Sequence, residues 1–316
     1  VDASGNYTYI LNNALPVVQG LGVGEKLTDT FSFTVSDGHG GTASNSLTLT
    51  INGTNDAPVL VPTILGIAKD SAITSGTLSL PTDADVHDVV SFTPQTNAPG
   101  SYGTFTLSAD GHYAYTLNTS LPVVQGLGSG ESLTDAFTVT VSDGHGGTAS
   151  AVVTMSISGS NQAPTVAAAT AVILEDAVSV SGDLPVPTDP NIHDVLTFIA
   201  QSNVVGSYGK LTLDVAGHYT YTLNNALPVV QGLGVGEKLT DTFMFTVSDG
   251  HGGTVSNTLT LTINGTNDLP SVGAATASII EDAVGVSGTL PVPVDPDLHD
   301  VVSFVPQTAA LGLYGT

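Results

Sequence analysis

The sequence predicts an all-β protein built from tandem β-sandwich domains, and three observations support this. The motif Val-Ser-Asp-Gly-His-Gly-Gly-Thr occurs three times, with its aspartate at Asp37, Asp143 and Asp249, a spacing of 106 residues. Repeats of this length are typical of domains, whereas solenoid repeats run to roughly 20–50 residues. Strand-forming Val, Thr, Ile, Leu and Tyr dominate between 36 glycines and 17 prolines. No segment shows helical periodicity over the length of an ordinary helix.

Seven strands are predicted in each repeat, each bounded by Pro, Gly or Asp. The Asp110-Gly111 pair favours a hairpin between the fourth and fifth strands, and residues 121–130 hold too many glycines for a stable helix and predict a crossing loop. Seven strands at this spacing are typical of an immunoglobulin-like sandwich. In the repeat from residue 57 the strands are A (59–67), B (76–80), C (88–93), D (102–107), E (112–117), F (133–141) and G (148–157).

Turn-type linkers that end in proline separate the repeats, as in Gly53-Thr54-Asn55-Asp56-Ala57-Pro58. Because the chain opens inside a repeat, we expect it to be part of a longer protein. Its last residues, Tyr314-Gly315-Thr316, fall at the start of a strand D. The predicted domains are 1–56 (strands E to G only), 57–162 and 163–268 (complete sandwiches), and 269–316 (strands A to C and the start of D).

Charge and composition exclude several classes of function. The chain has 28 acidic residues against four lysines and no arginine, a net charge of -24, so it lacks the basic clusters that nucleic-acid binding needs. Without cysteine it has neither disulfides nor thiolate metal sites. It carries no predicted membrane span or signal peptide, and we expect a secretion signal outside this segment. Cation binding, self-repulsion and tolerance of high salt all stay open as explanations of the acidity.

Strand alternation sorts the acids between the two ends of each sandwich. The B–C and F–G connections share one end, and the A–B and E–F connections share the other, beside the next linker. Acids of consecutive domains then meet at each linker, where a pair 4 Å apart repels by roughly 4 kcal/mol at an effective dielectric near 20. A divalent cation bound by oxygen ligands would remove this repulsion, and carboxylates with carbonyls favour Ca²⁺. The sequence therefore predicts interdomain calcium sites.

A structural role in turns is the alternative explanation for these acids. Aspartate is common in turns because its side chain bonds to its own backbone, so a single one such as Asp110 is expected to be structural. Duplication also copies neutral residues, and residues 1–56 match 213–268 at 48 of 56 positions. Recurrence of an acid in all three repeats therefore adds only modest support for its role as a calcium ligand.

Three motifs and their copies resemble VCBS-type and bacterial cadherin-like repeats of giant RTX adhesins, over the whole chain. They are the linker 53–58, Leu27-Thr28-Asp29-Thr30-Phe31 and the repeated motif 35–42. The resemblance implies a linear array of cadherin-like sandwiches that calcium rigidifies. It further implies an extracellular extender region that projects ligand-binding domains from a bacterial surface in adhesion and biofilm formation.

The resemblance also implies which residues bind calcium, in five groups. These are the linker residues Asn55, Asp56, Asn161, Asn267 and Asp268; the B–C residues Asp83, Asp85, Asp189, Asn191, Asp295 and Asp297; the F–G residues Asp37, Asp143 and Asp249; the basal A–B residues Asp70, Glu175, Asp176, Glu281 and Asp282; and the E–F residues Asp29, Asp135 and Asp241.

One junction departs from this pattern. Gln162 stands where the other linkers have aspartate, Asn191 stands where Asp85 and Asp297 stand, and Lys69 replaces the basal glutamate. Each change removes negative charge from the junction between the two complete domains. We expect that junction to bind calcium most weakly or with fewer ions.

Other functions have weaker support in the sequence. Eight histidines cluster in loops and could imitate a zinc site, but carboxylate-rich surroundings favour a harder ion. No nucleophile with a base or paired catalytic carboxylates stand out from the repeats, so we do not expect an enzyme. A glycan- or protein-binding module is the alternative, although the chain has no tryptophan. The two half-domains are complementary, which predicts head-to-tail association of chains besides contacts between neighbouring repeats.

Overall fold

The structure is a computed structural model that describes residues 1–308 and 310–314. The chain divides into two units. Unit 1 comprises Val1–Ser160 together with Asn191–His193, and unit 2 comprises Asn161–Pro190 and the chain from Asp194 onward. Each unit contains one complete β-sandwich, which confirms the prediction of an all-β fold.

Unit 1 begins with one helical turn and a hairpin, which are α1 (Pro16–Gln19), β1 (Lys26–Ser36) and β2 (Thr42–Asn52). The two strands pair antiparallel along their whole length. No second sheet covers their apolar face among the described residues, so Phe31 and Phe33 are 45% and 40% exposed. The equivalent residues of the complete sandwich, Phe137 and Val139, are 5% and 1% exposed. The hairpin therefore has the strands of a sandwich without its core.

The complete sandwich of unit 1 has eight strands and one helical turn. They are β3 (Thr63–Ala68), β4 (Ile73–Thr77), β5 (Ser91–Phe92), β6 (Gln95–Pro99), β7 (Gly103–Leu107), β8 (His112–Leu117), α2 (Pro122–Gln125), β9 (Ser132–Ser142) and β10 (Thr148–Ser158).

Two four-stranded sheets form this sandwich, in the orders β3-β10-β9-β5 and β4-β8-β7-β6. β3 runs parallel to β10, and every other neighbouring pair is antiparallel. Alternate residues of β9 point inward, as the period of two predicts. Phe137 of β9 packs against Phe105 and Tyr115 of the opposite sheet, with ring centroids 4.9 and 6.0 Å away. The core therefore lies between the sheets and leaves the loops at both ends free for other roles.

Unit 2 repeats this sandwich with sheets in the orders β11-β18-β17-β13 and β12-β16-β15-β14. Its elements are β11 (Ala169–Leu174), β12 (Ser179–Asp183), β13 (Thr197–Phe198), β14 (Gln201–Val205), β15 (Gly209–Leu213), β16 (His218–Leu223), α3 (Pro228–Gln231), β17 (Lys238–Ser248) and β18 (Thr254–Asn264).

The strand count was predicted one too low. After β5 the chain crosses from one sheet to the other and adds β6, which pairs with β7. The polar sequence Gln95-Thr96-Asn97 lacks the apolar alternation that identifies a strand, and Asn97 has a φ of 48° that interrupts the register. Strand A also begins at Thr63, while Val59 makes only an isolated bridge with Thr82.

The predicted crossing loop contains the helical turn α2, so the expectation of no helix there was wrong by one turn. Pro122 occupies the first turn, where its fixed φ suits a helix. Its lack of an N–H costs no hydrogen bond there, because the first N–H groups of a helix have no partner within the helix. The Gly126 N–H closes the turn on Pro122 O over 2.8 Å, and Val124 is buried in the core. One apolar anchor and a proline therefore suffice for a single turn in a glycine-rich segment. No helix among the described residues has the length and apolar character to cross a membrane.

The predicted strand E of residues 1–56 and the predicted strands of 269–316 are not formed in the described residues. Within 269–308 and 310–314 the only pairing is an isolated bridge between Ser271 and Val294. A strand exists through its backbone partners, and the sheets that these segments would join belong to the missing half of each domain. The predicted end of the last strand, Gly315-Thr316, lies outside the described residues.

Candidate metal centres

Three acidic side chains of unit 1 converge at one end of its complete sandwich. Asp83 and Asp88 lie in the connection from β4 to β5, and Asp143 begins the connection from β9 to β10. One carboxylate oxygen of each lies within 4.8 Å of the others. Asn55 of the linker joins them, because its Nδ2 donates to Asp143 Oδ2 over 2.8 Å. We call Asn55, Asp83, Asp88 and Asp143 top cluster 1; strand alternation predicted that these connections share an end.

Glycines shape the turn that carries Asp143. Asp143 Oδ1 accepts hydrogen bonds from the N–H groups of His145 and Gly147, over 2.8 and 3.0 Å. Gly144 and Gly146 have φ values of 83° and 112°, which L side chains rarely adopt. A Cβ atom on Gly147 would collide with Asp143 Oδ2. The repeated Asp-Gly-His-Gly-Gly motif is therefore a turn that presents one carboxylate oxygen to the linker.

Several oxygens around top cluster 1 are buried without a hydrogen-bond donor. They include Asn55 Oδ1, Asp83 Oδ2 and Asp85 Oδ1. Asp85 is buried, and its other oxygen accepts the Asp56 N–H over 2.8 Å. A buried polar atom without a partner costs about 1–3 kcal/mol, so these oxygens fit a bound cation. Carboxylate and amide oxygens are the ligands that Ca²⁺ prefers.

A histidine contacts top cluster 1 from its edge. His145 Nδ1 lies 3.1 Å from Asp88 Oδ2, and the Asp88 side chain is nearly inaccessible to solvent. In the described chain, the three groups whose potential ligand atoms converge consist of aspartates alone. An all-oxygen set favours a hard divalent ion over zinc, which prefers nitrogen and sulfur ligands.

Unit 2 repeats this arrangement in top cluster 2, which consists of Asn161, Asp189, Asp194 and Asp249. Carboxylate oxygens of its three aspartates lie within 4.8 Å of one another. Asn161 Nδ2 donates to Asp249 Oδ2 over 2.8 Å, the same distance as in top cluster 1. His251 Nδ1 lies 3.1 Å from Asp194 Oδ1. The two complete sandwiches therefore carry the same oxygen-rich end.

A second kind of cluster lies at the opposite end of the unit 2 sandwich. Glu175 Oε1 accepts hydrogen bonds from the Thr266 N–H (2.6 Å) and hydroxyl (3.1 Å), and the same hydroxyl lies 2.9 Å from Asp176 Oδ2. Asp297 Oδ2 accepts the Asp268 N–H over 3.0 Å. Glu175 Oε2 and Asp297 Oδ1 are buried without a donor. We call Glu175, Asp176, Asp268 and Asp297 the glutamate cluster, and its oxygens also fit a divalent cation.

The C-terminal segment adds more acids beside the glutamate cluster. Oxygens of Asp295, Asp297 and Asp300 lie within 4.8 Å of one another. Asp295 Oδ1 accepts the Asp297 N–H over 3.0 Å, which fixes the loop that carries both. The predicted Asp-x-Asp element is therefore assembled in unit 2, with Asp300 as a third member.

Burial and neighbouring carboxylates raise the pKa of Asp268, whereas hydrogen bonds lower the pKa of Asp143. Burial, followed by the charges of Asp176, Asp297 and Asp295, raises the pKa of Asp268. The hydrogen bond from Asn55 is the largest cause of the lowered pKa of Asp143. Repulsion between carboxylates therefore acts on Asp268 in the glutamate cluster, where a cation would relieve it.

In Asp249 the balance of causes is closer. Burial raises its pKa, but the hydrogen bond from Asn161 and the N–H groups of His251 and Gly253 outweigh it and lower the pKa overall. Top cluster 2 thus holds its F–G carboxylate charged in the same way as top cluster 1.

Unit 1 has a lysine where unit 2 has the buried glutamate. Lys69 is buried, and its Nζ donates to Leu127 O over 2.6 Å and to Gln125 O over 3.1 Å. Asn191, predicted to bind calcium, belongs to unit 1 and donates its Nδ2 to the same Leu127 O over 2.9 Å. The Asn191 side chain therefore acts as a hydrogen-bond donor to a backbone carbonyl oxygen.

The structure gives the predicted E–F aspartates a different environment. Asp135 is buried inside the sandwich, where it accepts hydrogen bonds from the Ser101 and Tyr102 N–H groups (2.6 and 3.0 Å) and the Tyr115 hydroxyl (2.7 Å). Asp241 has the same three partners in unit 2, from Ser207, Tyr208 and Tyr221. Asp29 accepts one bond, from the Tyr9 hydroxyl over 3.1 Å. Their oxygens bond to protein donors and do not join the clusters at the linkers.

The remaining predicted ligands are dispersed. Asp37 accepts the N–H groups of its own turn, and it belongs to none of the groups of three converging acids among the described residues. Asp70 Oδ2 contacts the Ser160 hydroxyl over 2.5 Å, and Asn267 Nδ2 donates to Asp268 O over 2.7 Å. Glu281 and Asp282 lie exposed in a turn.

The ligand set that the resemblance implies leaves out two sets of residues. Asp88, Asp194 and Asp300 belong to the clusters, and the signal for them was a His-Asp pair recurring every 106 residues in the B–C connection. In the second set, a glutamate just before strand F contacts the histidine of that His-Asp pair, with 2.7–2.8 Å between Glu Oε1 and His Nδ1. These pairs are Glu25 with His87, Glu131 with His193 and Glu237 with His299.

Comparison with known proteins agrees with this architecture. Residues 55–159 and 161–265 each match the bacterial cadherin-like domain family, and together they cover about two thirds of the chain. The chain belongs to the bacterial cadherin-like domain family. It is 30% identical over 190 residues to the calcium-binding lectin RapA2 of Rhizobium johnstonii (strain DSM 114642 / LMG 32736 / 3841), covering 55% of this chain and 77% of that protein.

Among solved structures, similar chains are cadherin ectodomains. Domains 3–6 of protocadherin gamma B2 match with 15% identity and a TM-score of 0.45, covering 75% of this chain and 59% of that one. Domains 1–4 of PcdhgB3 match with 16% identity and a TM-score of 0.48, covering 81% and 63%. The chain thus spans less than two thirds of the length of these structures.

Proposed function

We propose that this chain is a calcium-rigidified spacer from the extender region of a secreted bacterial adhesin of the RTX type, with VCBS-type repeats. In this role it projects ligand-binding domains from the cell surface in adhesion and biofilm formation. Its work is structural and extracellular, without catalysis. The observation that carries the proposal is the set of buried oxygens that lack donors beside the linkers, namely Asp83 Oδ2 and Asp85 Oδ1 in unit 1 and Glu175 Oε2 and Asp297 Oδ1 in unit 2.

The residues of the chain divide the work of holding the ion. The Asn55 side-chain N–H holds Asp143 Oδ2, and Asn55 Oδ1 stays available for the ion. The N–H groups of the turn hold Asp143 Oδ1. Asp85 ties the linker to the sandwich through the Asp56 N–H. When bound, calcium supplies the positive charge that lets these carboxylates lie together. The linker backbone is thereby fixed to the sandwich that follows it.

Family membership and one relative support the calcium. The family is named for its likeness to cadherins, and RapA2 is described as a calcium-binding protein. Few cations of the chain's own are available, because it has four lysines and no arginine. A metal ion is therefore the simplest source of the missing positive charge.

Calorimetric titration of the chelated protein with Ca²⁺ tests this function, together with thermal unfolding and small-angle scattering. We expect affinities of about 10⁻⁴ to 10⁻³ M and a melting temperature that rises with calcium concentration. Scattering should show greater flexibility in EDTA than in calcium. Equal melting temperatures and equal scattering under both conditions would reject the spacer role.

Carbohydrate binding is the second candidate, because RapA2 is described as a lectin. Against it, residues 57–268, all of which the structure describes, expose no phenylalanine or tyrosine of the kind that packs on sugar rings. A glycan array probed with the chain in calcium and in EDTA separates the two functions. Calcium-dependent retention on defined glycans would favour the lectin, and no retention would favour the spacer.

We also propose that the exposed face of the β1–β2 hairpin is covered by the segment 269–316 of a second chain. The equivalent segments of the complete sandwiches, 57–104 and 163–210, contribute Leu78 and Leu184 to the same buried core clusters as Phe137 and Phe243. Sedimentation velocity over a range of concentrations should then show head-to-tail association. Phe33→Asp should abolish it, and a monomer at every concentration would contradict this contact.

A further inference from the structure

Lys69 and Glu175 occupy equivalent places in the two complete sandwiches. Each follows the first strand, and its N–H bonds to the last residue of the final strand, Ser158 O (2.9 Å) for Lys69 and Asn264 O (3.0 Å) for Glu175. Both residues are 0% exposed. The same buried position therefore holds a cation in one unit and an anion in the other.

The groups around the two residues are matched to their charges. The Lys69 ammonium is met by two carbonyl oxygens, Leu127 O and Gln125 O. Asn191 supplies a neutral amide that donates to Leu127 O and, over 3.3 Å, to Ser160 O. We call Lys69, Gln125, Leu127, Ser160 and Asn191 the lysine cluster. Among the described residues, none of the buried side-chain oxygens that lack a hydrogen-bond donor belongs to the lysine cluster.

The glutamate cluster has the opposite character. Asp297 stands at the position of Asn191, and Asp268 stands at the sequence position of Gln162. Both Glu175 and Asp297 keep one buried oxygen without a donor. Lysine in place of Glu175 and asparagine in place of Asp297 therefore distinguish a site that contains a cation from a site that is short of one.

We propose that the Lys69 ammonium takes the place that a calcium ion takes in the glutamate cluster, so that the lysine cluster holds Asn191–His193 against the rest of unit 1 without calcium. This inference rests on the proposed function, since it contrasts with calcium binding by the glutamate cluster. A buried ammonium satisfied by carbonyls repels a divalent ion, and no member of the lysine cluster supplies a carboxylate. One chain then carries one contact that responds to calcium and one equivalent contact that does not.

Hydrogen–deuterium exchange of the full chain in calcium and in EDTA tests the contrast. Peptides containing Glu175 and Gly234 should exchange about tenfold faster in EDTA than at a free calcium concentration about ten times the dissociation constant. Peptides containing Lys69 and Gly128 should change less than about twofold. The Gly128 and Gly234 N–H groups are matched probes, because each bonds to the glutamate three residues later, over 2.7 and 3.0 Å.

Variants that exchange residues between the lysine cluster and the glutamate cluster test the contrast further. Lys69→Glu combined with Asn191→Asp gives the lysine cluster the two acids that stand at these positions in the glutamate cluster, and its peptides should become calcium-dependent. Glu175→Lys should remove the calcium response of the glutamate cluster. Lys69→Met should speed exchange at Gly128 under both conditions, whereas Lys210→Met, on an exposed lysine, is the control.

The outcomes separate this inference from the proposed function. If the Lys69 and Gly128 peptides lose protection in EDTA as strongly as those of Glu175 and Gly234, the lysine does not replace calcium, although calcium binding itself stands. If Lys69→Met leaves both peptides unchanged, the ammonium is not needed and the inference is overturned. If neither cluster responds to EDTA, the proposed calcium function fails and the contrast fails with it.

Discussion

Buried aspartates occur in two regions of the unit 1 sandwich, and they differ in what surrounds them. Asp135, in the middle of the sandwich, receives hydrogen bonds from two backbone N–H groups and a tyrosine hydroxyl. Asp85, at the linker, receives one backbone N–H and keeps its other oxygen without a donor. Both are 2% exposed, so burial does not distinguish them.

The number of available donors decides what each aspartate does. Three donors stabilise the charge of Asp135 within the protein, so that it ties the 99–102 turn to β8 and β9. Burial, and then Asp135 itself, raises the pKa of the Tyr115 hydroxyl, which therefore stays protonated and keeps donating. Where donors are missing, as in top cluster 1, the same residue type needs a cation. A buried carboxylate thus indicates a metal site only after its protein donors have been counted.

The largest expected effect comes from Asp135→Ala. It leaves two N–H groups and one hydroxyl buried without an acceptor, and we expect a loss of about 3–5 kcal/mol in the free energy of unfolding. Chemical denaturation measures this, and the loss should be the same in EDTA as in calcium. Asp29→Ala is the matched control in the incomplete hairpin, where one hydroxyl contact is lost and about 1 kcal/mol or less is expected. A loss for Asp135→Ala that disappears in EDTA would assign this residue to a calcium site instead.

The next effect separates the linker aspartates from Asp135. Asp83→Asn should weaken calcium binding by unit 1 about tenfold, because a charged ligand is lost. Its stability in EDTA should stay the same or rise, since one repelling charge is removed. Calorimetry and melting in both conditions measure this, with Asp110→Asn in the exposed D–E turn as the control. Equal calcium affinity in the variant and the control would remove Asp83 from the site.

A smaller effect concerns pH. The raised pKa of Asp268 means that its proton stabilises the folded chain below the usual value of 3.8, and that this contribution is lost as pH rises through the raised pKa. Calcium must displace that proton, so binding by the glutamate cluster should weaken first on acidification. Asp143 has a lowered pKa and keeps its charge to lower pH, so top cluster 1 should hold calcium longer. Calcium titrations between pH 7 and pH 4, read by exchange of peptides from each cluster, measure the order, and release in the reverse order would contradict it.

The smallest effect is expected from Asp37→Asn. Asp37 makes the same turn bonds as Asp143, to the N–H groups of His39 and Gly41 at 2.8 and 2.9 Å, but it belongs to none of the groups of three converging acids among the described residues. Calcium affinity should therefore change by less than about twofold, whereas Asp143→Asn should weaken it about tenfold. A loss of affinity for Asp37→Asn in a dilute monomeric sample would show that the turn motif binds calcium without the linker.

Much of the sandwich could be predicted from the sequence, because strand period and turn chemistry are local. The 106-residue spacing, the inward alternation of Phe137, Val139 and Val141, and the grouping of Asp83 with Asp143 all follow from pattern and strand alternation. Strand β6 escaped prediction because its residues are polar and its register is broken at Asn97. The weak calcium binding expected near Asn191 stays a prediction, and the buried Lys69 supplies a reason for it.

By itself the sequence determined the fold class, the repeat length and which turns carry acids, since these depend on residues close together in the chain. Only the tertiary structure decided which acids find protein donors. Asp135 meets Ser101, Tyr102 and Tyr115 from other strands and loops, and the histidines of the His-Asp pairs meet glutamates about 60 residues away. A carboxylate's role depends on the donors and charges within a few ångströms of it, and chain folding sets those distances.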